Sequence, residues 1–286
     1  MSRATLAEVL APALTNGYAV PGYVVLGWED ARTYVEAAEE AGLPLILQAG
    51  PGFRRHIPLP VIAAMFTQLA DEASVPVVVH LDHSTELAEC RQALDLGFSS
   101  IMFDGSSKSL VQNIDLTAQA VELTHKSGAS CEGEIGFVGY AEGEPGSVTD
   151  PKEAKRFAAE TGVDALAVSV GNVHLQTQKE AVIDMAALTA IDAQTSLPLV
   201  LHGGSGIAVD TRQKLARETS VCKFNIGTEL RMAFGRALRE TLVRNPAVFD
   251  RLTIMNGAMP AVKAEAVRIM SELANPEVNA NEGHSR

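Results

Sequence analysis

Cationic side chains are scarce in this sequence. Its 286 residues include 23 lysines and arginines against 35 aspartates and glutamates, which gives a formal net charge of -12. Nucleic acids and anionic membrane surfaces are polyanions, and they attract proteins through a positive field. We therefore expect no nucleic-acid partner and no membrane partner. A small phosphorylated molecule could still bind at a local site.

Cysteines and long apolar runs are also few. The three cysteines, Cys90, Cys131 and Cys222, are odd in number, widely spaced and set among apolar residues. A disulfide framework is therefore not expected, and a reducing compartment suits the chain better. No uncharged apolar stretch reaches the length of about 18 residues that a membrane span needs, and no export signal begins the chain. The sequence predicts a cytoplasmic protein.

Apolar residues make up 47% of the chain, which is enough to bury a large core. Eight short apolar runs alternate with helical patterns, which is typical of the parallel strands of a closed α/β barrel. We predict a (β/α)8 TIM barrel in one domain over residues 1–274, with one or two extra C-terminal helices, and a polar tail over residues 275–286. The predicted strands are residues 18–25, 45–49, 77–81, 99–103, 129–135, 164–170, 197–201 and 221–226, and residues 50–52 are predicted as a loop.

Histidines follow three of the predicted strands: His83 the third, His174 the sixth and His202 the seventh. The C-terminal ends of barrel strands meet at one face, where the active site lies. Histidine is the commonest metal ligand, and catalytic zinc usually takes three protein ligands. A single histidine would more often be structural, but three at equivalent positions predict one metal site. His80 is expected to be structural or to support a ligand.

Carboxylates accompany these histidines. Asp82 adjoins His83, Asp104 follows the fourth predicted strand, and Glu132 and Glu134 share one side of the fifth because strand side chains alternate. Asp104 and Glu134 could orient the ligands or provide an alternative metal position.

A glycine-rich loop, residues 136–147, follows the fifth predicted strand and carries Glu142 and Glu144. It has no secondary-structure pattern of its own, which is typical of an active-site lid. The sequence leaves open which of the two glutamates reaches the site.

Glycines beside hydroxyls end the last two predicted strands. Gly203 to Gly206 follow His202, and Gly227 and Thr228 follow Asn225, in each case just before a helix. Backbone N–H groups at a helix N-terminus bind phosphate, and barrels often place phosphate after these strands. The pattern predicts a phosphate site, unless the glycines serve only tight turns. Lys223 could form a Schiff base, but three metal-type histidines make an imine superfluous.

These motifs together resemble the class II, metal-dependent ketose-bisphosphate aldolases over roughly residues 10–244, and most nearly those acting on fructose or tagatose bisphosphates. The motifs are residues 80–83 (HLDH), 132–136 (EGEIG), 171–174 (GNVH), 202–206 (HGGSG), 225–229 (NIGTE) and the loop with Glu142. A chance match would have to reproduce them in order.

The resemblance implies an aldolase that cleaves or forms a phosphorylated ketose through an enediolate of dihydroxyacetone phosphate or a close analogue. His83, His174 and His202 would bind one catalytic Zn²⁺ or another divalent metal, with a monovalent cation as a further candidate. Asp82 would handle the proton of the hydroxyl beside the cleaved bond, and Glu142 the C–H proton of the dihydroxyacetone phosphate half. Substrate phosphate and oxygens would bind to Gly203, Ser205, Asn225, Gly227 and Thr228. A homodimer or homotetramer is implied by family analogy.

The sequence departs from this family at substrate-facing positions. Leu175 stands where these aldolases usually have a glycine, Val24 and Gly50 replace polar residues, and the loop is shorter than usual. We therefore expect a retained mechanism on a substrate other than fructose 1,6-bisphosphate. The alternatives are a metal-dependent lyase or epimerase on a sugar acid, which would not need the phosphate pocket, and a non-catalytic aldolase-like barrel subunit.

Overall fold

A closed sheet of parallel strands is the centre of the computed structural model, which describes residues 2–139 and 146–274. The strands are β1 (Arg3–Ala4), β2 (Val20–Val24), β3 (Leu45–Ala49), β4 (Val77–Ser84), β5 (Ser100–Phe103), β6 (Ser130–Ile135), β7 (Ala165–Val168), β8 (Leu199–Leu201) and β9 (Val221–Ile226). From β2 onward each strand pairs in parallel with the next, and β9 pairs with β2. The predicted (β/α)8 barrel is confirmed.

Helices surround this barrel. They are α1 (Leu6–Asn16), α2 (Trp28–Ala41), α3 (Pro51–His56), α4 (Leu59–Glu72), α5 (Leu87–Asp95), α6 (Leu110–Lys126), α7 (Pro151–Thr161), α8 (Met185–Asp192), α9 (Val209–Glu218), α10 (Thr228–Arg244) and α11 (Arg251–Ala274). The C-terminal extension is one long helix, α11, which packs against α2 and α10. The Tyr23 hydroxyl of β2 donates to the carbonyl of Ala266 in α11 at 2.6 Å, which ties the extension to the barrel.

The structure corrects the prediction of a loop at residues 50–52: Gly50 is the N-cap of helix α3, and Pro51 and Gly52 begin its first turn. Pro51 stands in the first turn of α3, where its fixed φ suits a helix and its missing N–H is not needed. Strand β4 also runs to Ser84, beyond the predicted end at Leu81, and its pairing with β5 shifts register between these two residues. Both differences lie beside the predicted active site.

Helix α1 lies at the N-terminal end of the barrel, where it contacts β2, β4, β6 and β9. Its Leu6 and Leu10 are fully buried in one cluster with Ile46, Val78 and Val200 of the strands. Such inward-facing aliphatic residues make a barrel interior a packed core and not a pore. The chain therefore leaves the opposite end, at the C-termini of the strands, available for a site.

All three cysteines are buried and unpaired, and burial raises the pKa of the Cys90 thiol to about 11 and that of Cys222 to about 12. None of the helices in the described part of the chain has the length and hydropathy needed to cross a membrane.

Candidate active site

A cavity of about 460 Å³ opens at the C-terminal end of the barrel. Cavities of this size hold small-molecule ligands. Its lining includes most of the residues predicted for the site: Asp82, His83, Asp104, His174, Gly203, Ser205, Asn225, Gly227 and Thr228. The structure thus gathers side chains that are as far as 146 residues apart in the chain, from Asp82 to Thr228.

Three imidazoles converge at the floor of this cavity; His83 and His174 line it, and the fully buried His202 lies next to them. The ring centres of His83, His174 and His202 lie between 4.6 and 5.5 Å apart. Each ring offers a nitrogen, and these nitrogens lie within 4.8 Å of one another. His83 also forms a second such group with Asp104 and Glu134. Nitrogen and carboxylate donors at this spacing suit Zn²⁺ and related divalent metals.

The hydrogen bonds of His202 leave one of its nitrogens for a ligand. Its Nε2–H donates to Glu132 Oε1 at 3.3 Å, whereas Nδ1 is buried without a hydrogen-bond partner among the described residues. Glu134 Oε2, also buried without a hydrogen-bond partner in this set, lies 3.7 Å from that Nδ1. Buried polar atoms without partners are costly. A cation bound between the two groups would satisfy both, so the residues present fit a metal.

Two of the three imidazoles are neutral at physiological pH. Burial, together with the charge on His83, lowers the pKa of His174 to about 4. The same two causes hold the pKa of His202 well below its usual value. A metal binds only the unprotonated imidazole, so both rings are ready to ligate without losing a proton.

His83 has the opposite electrostatic character. Burial lowers its pKa, but the charge of Asp82, the hydrogen bond to Asp104 and the charge of Glu134 outweigh it and raise the pKa to about 10. Its Nδ1–H donates to Asp104 Oδ2 at 2.7 Å. Burial and the charge of Asp104 raise the pKa of Glu134 to about 8. The carboxylates therefore create a place for positive charge at His83, and a divalent cation would replace the proton there.

The backbone at this site departs from regular strand geometry. His83 has φ 51°, in the left-handed region, which costs a residue with a side chain about 1–2 kcal/mol. Gly203 has φ 64°, and a Cβ there would lie 2.1 Å from the carbonyl oxygen of Val173. The loops after β7 and β8 therefore pack directly together, and Asn172 Nδ2 donates across them to the carbonyl of His202 at 3.0 Å.

Asp82 is held by two amides. Gln48 Nε2 donates to Asp82 Oδ1 at 3.0 Å, and Asn225 Nδ2 donates to the same oxygen at 3.3 Å. The other oxygen, Oδ2, lies 3.3 Å from where a Cβ on Gly50 would stand, so a glycine leaves this face of the carboxylate open. The sequence interpretation missed Gln48. Its signal was a single polar residue in the buried apolar run of β3 (Leu45–Ala49).

The predicted phosphate loops lie side by side above the last two strands. The N–H of Glu229, in the first turn of α10, donates to Ser205 Oγ at 3.2 Å, which joins the loop after β8 to the loop after β9. Two arginines that the motifs did not indicate, Arg55 and Arg231, also line the cavity. Arg231 follows Thr228 by three residues and so lies on the same face of α10. An anionic substrate would meet cations and backbone N–H groups here.

A sequence profile of the family described as "Fructose-bisphosphate aldolase class-II" matches residues 4–277. The chain belongs to this family. It is an aldolase, a carbon–carbon lyase, as the motifs predicted. Family membership argues against the two alternatives, a metal-dependent lyase or epimerase on a sugar acid and a non-catalytic aldolase-like barrel subunit.

Individual relatives of this class II aldolase support the assignment. The fructose-bisphosphate aldolase of Geobacillus stearothermophilus is 35% identical over 282 residues, which cover 96% of this chain and 98% of that protein. A Staphylococcus epidermidis fructose-bisphosphate aldolase is 34% identical over 270 residues, 92% of this chain and 94% of the other.

Solved structures agree. The YdjI aldolase from Escherichia coli K12 superposes with a TM-score of 0.81 at 29% identity, over 94% of this chain and 96% of that one. The Campylobacter jejuni fructose-bisphosphate aldolase, at 23% identity, has a TM-score of 0.76 over 94% of this chain and 93% of its own. This second likeness supports the fold.

A buried ion pair in this aldolase lies beside the histidines. Lys223 Nζ lies 2.6 Å from Glu132 Oε2, and both side chains are fully buried. Lys223 does not line the cavity, so it has no access to a carbonyl substrate there. His80 bonds to the Ser100 hydroxyl through Nδ1 at 2.7 Å, and burial and the charge of Lys223 lower its pKa. The expectation that His80 is structural or supportive agrees with these contacts.

Glu142 and Glu144 lie outside the described residues, as does the predicted tail, residues 275–286. The described ends of the glycine-rich loop pair with each other. The N–H of Phe137 donates to the carbonyl of Ser147 at 3.2 Å, and the N–H of Ser147 donates back at 2.8 Å.

Proposed function

We propose that this aldolase cleaves and forms a phosphorylated ketose, with His83, His174 and His202 as the ligands of one catalytic Zn²⁺. The observation that carries the proposal is the convergence of three imidazoles, two of them neutral. They lie beside the carboxylate of Asp82 and the two glycine-containing loops that follow β8 and β9. When bound, the ion would supply Lewis-acid stabilisation of the enediolate. Another divalent metal and an additional monovalent cation are further candidates.

The residues around the ligands have distinct tasks in this proposal. Asp104 accepts the His83 N–H and fixes the orientation of that ring. Glu134 lies within 3.7 Å of both His83 and His202 and could offer an alternative ligand. The buried carboxylate of Glu132 orients His202 and is itself paired with Lys223.

Asp82 is the group that moves the proton of the hydroxyl beside the scissile carbon–carbon bond. Gln48 and Asn225 both donate to its Oδ1, so Oδ2 is the oxygen left for the substrate. In cleavage Oδ2 accepts the hydroxyl proton as the aldehyde forms, and in condensation it returns the proton. The electron pair of the broken carbon–carbon bond passes to the dihydroxyacetone phosphate half. Glu142 then supplies the proton that forms the new C–H bond there.

The phosphate of the dihydroxyacetone phosphate half binds between the loops that follow β8 and β9. Gly203 and Gly227 leave backbone N–H groups unobstructed, while Ser205, Asn225 and Thr228 provide side-chain partners. Helix α10 begins at Thr228, and the positive end of its dipole stabilises the phosphate.

Three apolar residues of the cavity lining, Val24, Leu26 and Leu175, support a substrate other than fructose 1,6-bisphosphate. Leu175 has φ 59°, in the region that favours glycine, and its side chain is half exposed. Apolar side chains at these three positions offer no hydrogen bonds to a substrate, which favours an aldehyde half different from that of fructose 1,6-bisphosphate.

A panel of ketose phosphates tests this proposal. Zinc-loaded enzyme is offered fructose 1,6-bisphosphate, tagatose 1,6-bisphosphate and ketose 1-phosphates with different tails, and release of dihydroxyacetone phosphate is measured. We expect cleavage of at least one compound, with kcat/KM for fructose 1,6-bisphosphate below the best. Cleavage of that compound as efficiently as any other would contradict the substrate proposal, and cleavage of none would contradict the function.

The loop glutamates are separated by paired substitutions. Glu142→Gln is expected to lower the rate of hydrogen exchange into dihydroxyacetone phosphate by about 10²–10⁴-fold, the usual contribution of a positioned acid or base. Glu144→Gln is the matched control and is expected to leave the rate within about twofold. Equal activity in both variants would remove the loop carboxylate from the mechanism, and the reverse order would assign its role to Glu144.

Assembly and location follow from the family and the composition. We infer a homodimer or homotetramer in the cytoplasm, and one domain over residues 1–274 with a polar tail. Light scattering on the purified protein measures the assembly directly.

A further inference from the structure

Arg54 is an almost fully buried cation near the active site that does not contact the cavity. It lies on α3, its side chain is only 8% exposed, and it is absent from the cavity lining. Its guanidinium binds three backbone carbonyls at the ends of β3 and β4. Nη1 donates to Ala49 and, at 2.6 Å, to Asp82, while Nη2 donates to His83 at 3.1 Å. It therefore holds the backbone of the general base and of a metal ligand.

Glu89 on α5 completes the arrangement from the other side. Arg54 Nε donates to Glu89 Oε1 at 2.9 Å and Nη2 to Oε2 at 3.1 Å, a bidentate pair. The hydroxyl of Ser84 donates to Oε2 at 2.7 Å. All five N–H donors of Arg54 are thus engaged, one on Nε and two on each terminal nitrogen. Glu89 fixes the plane of the guanidinium.

The end of β4 needs such support because sheet pairing does not fix it. Regular pairing of β4 with β3 ends at Leu81, and pairing with β5 shifts register between Leu81 and Ser84. His83 lies in this interval with φ 51°. A non-glycine residue stays in the left-handed region only when its surroundings determine it. Arg54 donates to the carbonyls of Asp82 and His83, which precede and follow the His83 α-carbon in the chain. These bonds hold the backbone of His83 in the left-handed conformation.

We propose that Arg54 and Glu89 are positioning residues that hold Asp82 and His83 in their catalytic orientation. This inference rests on the function proposed above, in which His83 binds the metal and Asp82 moves the hydroxyl proton. The two residues touch no substrate and act through the backbone of β4. A lysine cannot replace Arg54, because one ammonium group cannot reach three carbonyls and a bidentate carboxylate at once.

Substitutions of Arg54 test the proposal in two ways: they measure zinc affinity, and they show whether kcat changes while KM does not. Arg54→Lys and Arg54→Met are each expected to weaken zinc binding about 10–100-fold, as supporting contacts of metal ligands do, in competition with a chromophoric chelator. With zinc saturating, kcat for ketose cleavage should fall by a similar factor. KM for dihydroxyacetone phosphate in the exchange reaction should change little, since the phosphate loops follow β8 and β9.

The matched control is Arg156→Met, which removes the exposed Arg156–Glu160 pair on α7. It should leave zinc affinity, kcat and KM as in the parent protein. Glu89→Gln keeps the size of the side chain but replaces one carboxylate oxygen with an NH2 donor, so the bidentate pair with Arg54 is lost. This variant supplies the test if the Arg54 variants do not fold. Its zinc affinity should lie between those of the parent and Arg54→Met.

Two failures are distinguishable. A parent protein that neither binds zinc nor enolises dihydroxyacetone phosphate would overturn the proposed function. A parent that does both, beside Arg54 and Glu89 variants with unchanged zinc affinity and kcat, would overturn the positioning role, whatever the change in Tm. A drop in Tm alone marks a purely structural ion pair.

Discussion

Replacing His202 with alanine is expected to abolish tight zinc binding and to lower kcat by at least about 10³-fold, because the metal supplies several kcal/mol to the transition state. His202 is fully buried, its Nδ1 has no hydrogen-bond partner in the described chain, and its pKa is lowered by burial. Zinc content after gel filtration and the rate of ketose cleavage measure the effect.

His56→Ala is the matched control for His202→Ala. His56 is exposed at the end of α3 and is absent from the cavity lining. Its variant should keep the zinc content and kcat of the parent. A His202→Ala variant that retained one zinc per chain with tight affinity would show that the three imidazoles do not form the metal site, and the second group, His83, Asp104 and Glu134, would become the better candidate.

Replacing Asp82 with asparagine should separate the two proton transfers. Asn is isosteric, so the contacts with Gln48 and Asn225 can persist while the basic oxygen is lost. Ketose cleavage should fall by about 10²–10⁴-fold. Hydrogen exchange into dihydroxyacetone phosphate should fall far less, since that C–H proton is assigned to Glu142. Zinc affinity should remain within a few-fold.

Parallel assays of cleavage and exchange on one preparation decide the role of Asp82. Gln48→Glu is a useful companion, because it adds a negative charge 3.0 Å from Asp82 Oδ1 and leaves the carboxylate in place. Equal losses of cleavage and exchange in Asp82→Asn would contradict the division of labour. Unchanged cleavage would exclude Asp82 as the general base.

The barrel and the residues of the cavity follow from local patterns in the sequence. β3 (Leu45–Ala49) and β9 (Val221–Ile226) have the predicted bounds, because a strand buried on both faces is a mainly apolar run between breaking residues. His83, His174 and His202 could be grouped because parallel strands bring their C-terminal ends to one face. The order of the motifs along the chain was therefore enough to predict that they share one site.

The contacts that orient these residues could not be predicted in this way. Arg54 and Glu89 lie 35 residues apart, and Gln48 and Asp82 lie 34 apart, so no periodicity links either pair. The left-handed φ of His83 depends on those contacts, and even histidine adopts this conformation too seldom for the residue type to predict it. The sequence around Pro51 predicts a loop and not a helix because glycine and proline usually mark turns. The role of Glu142 and the polar tail over residues 275–286 stay predictions, since both lie outside the described residues.

Hydrogen–deuterium exchange into dihydroxyacetone phosphate, followed by NMR in D₂O with and without a chelator, tests the central claim most directly. It requires the metal, the phosphate pocket and an acid-base group, and it needs no knowledge of the aldehyde. We predict exchange by the zinc-loaded enzyme, loss of exchange after chelation and its return when Zn²⁺ is added back. Absence of exchange in a zinc-loaded sample, or exchange that persists after the metal is removed, would contradict a metal-dependent enolisation at this site.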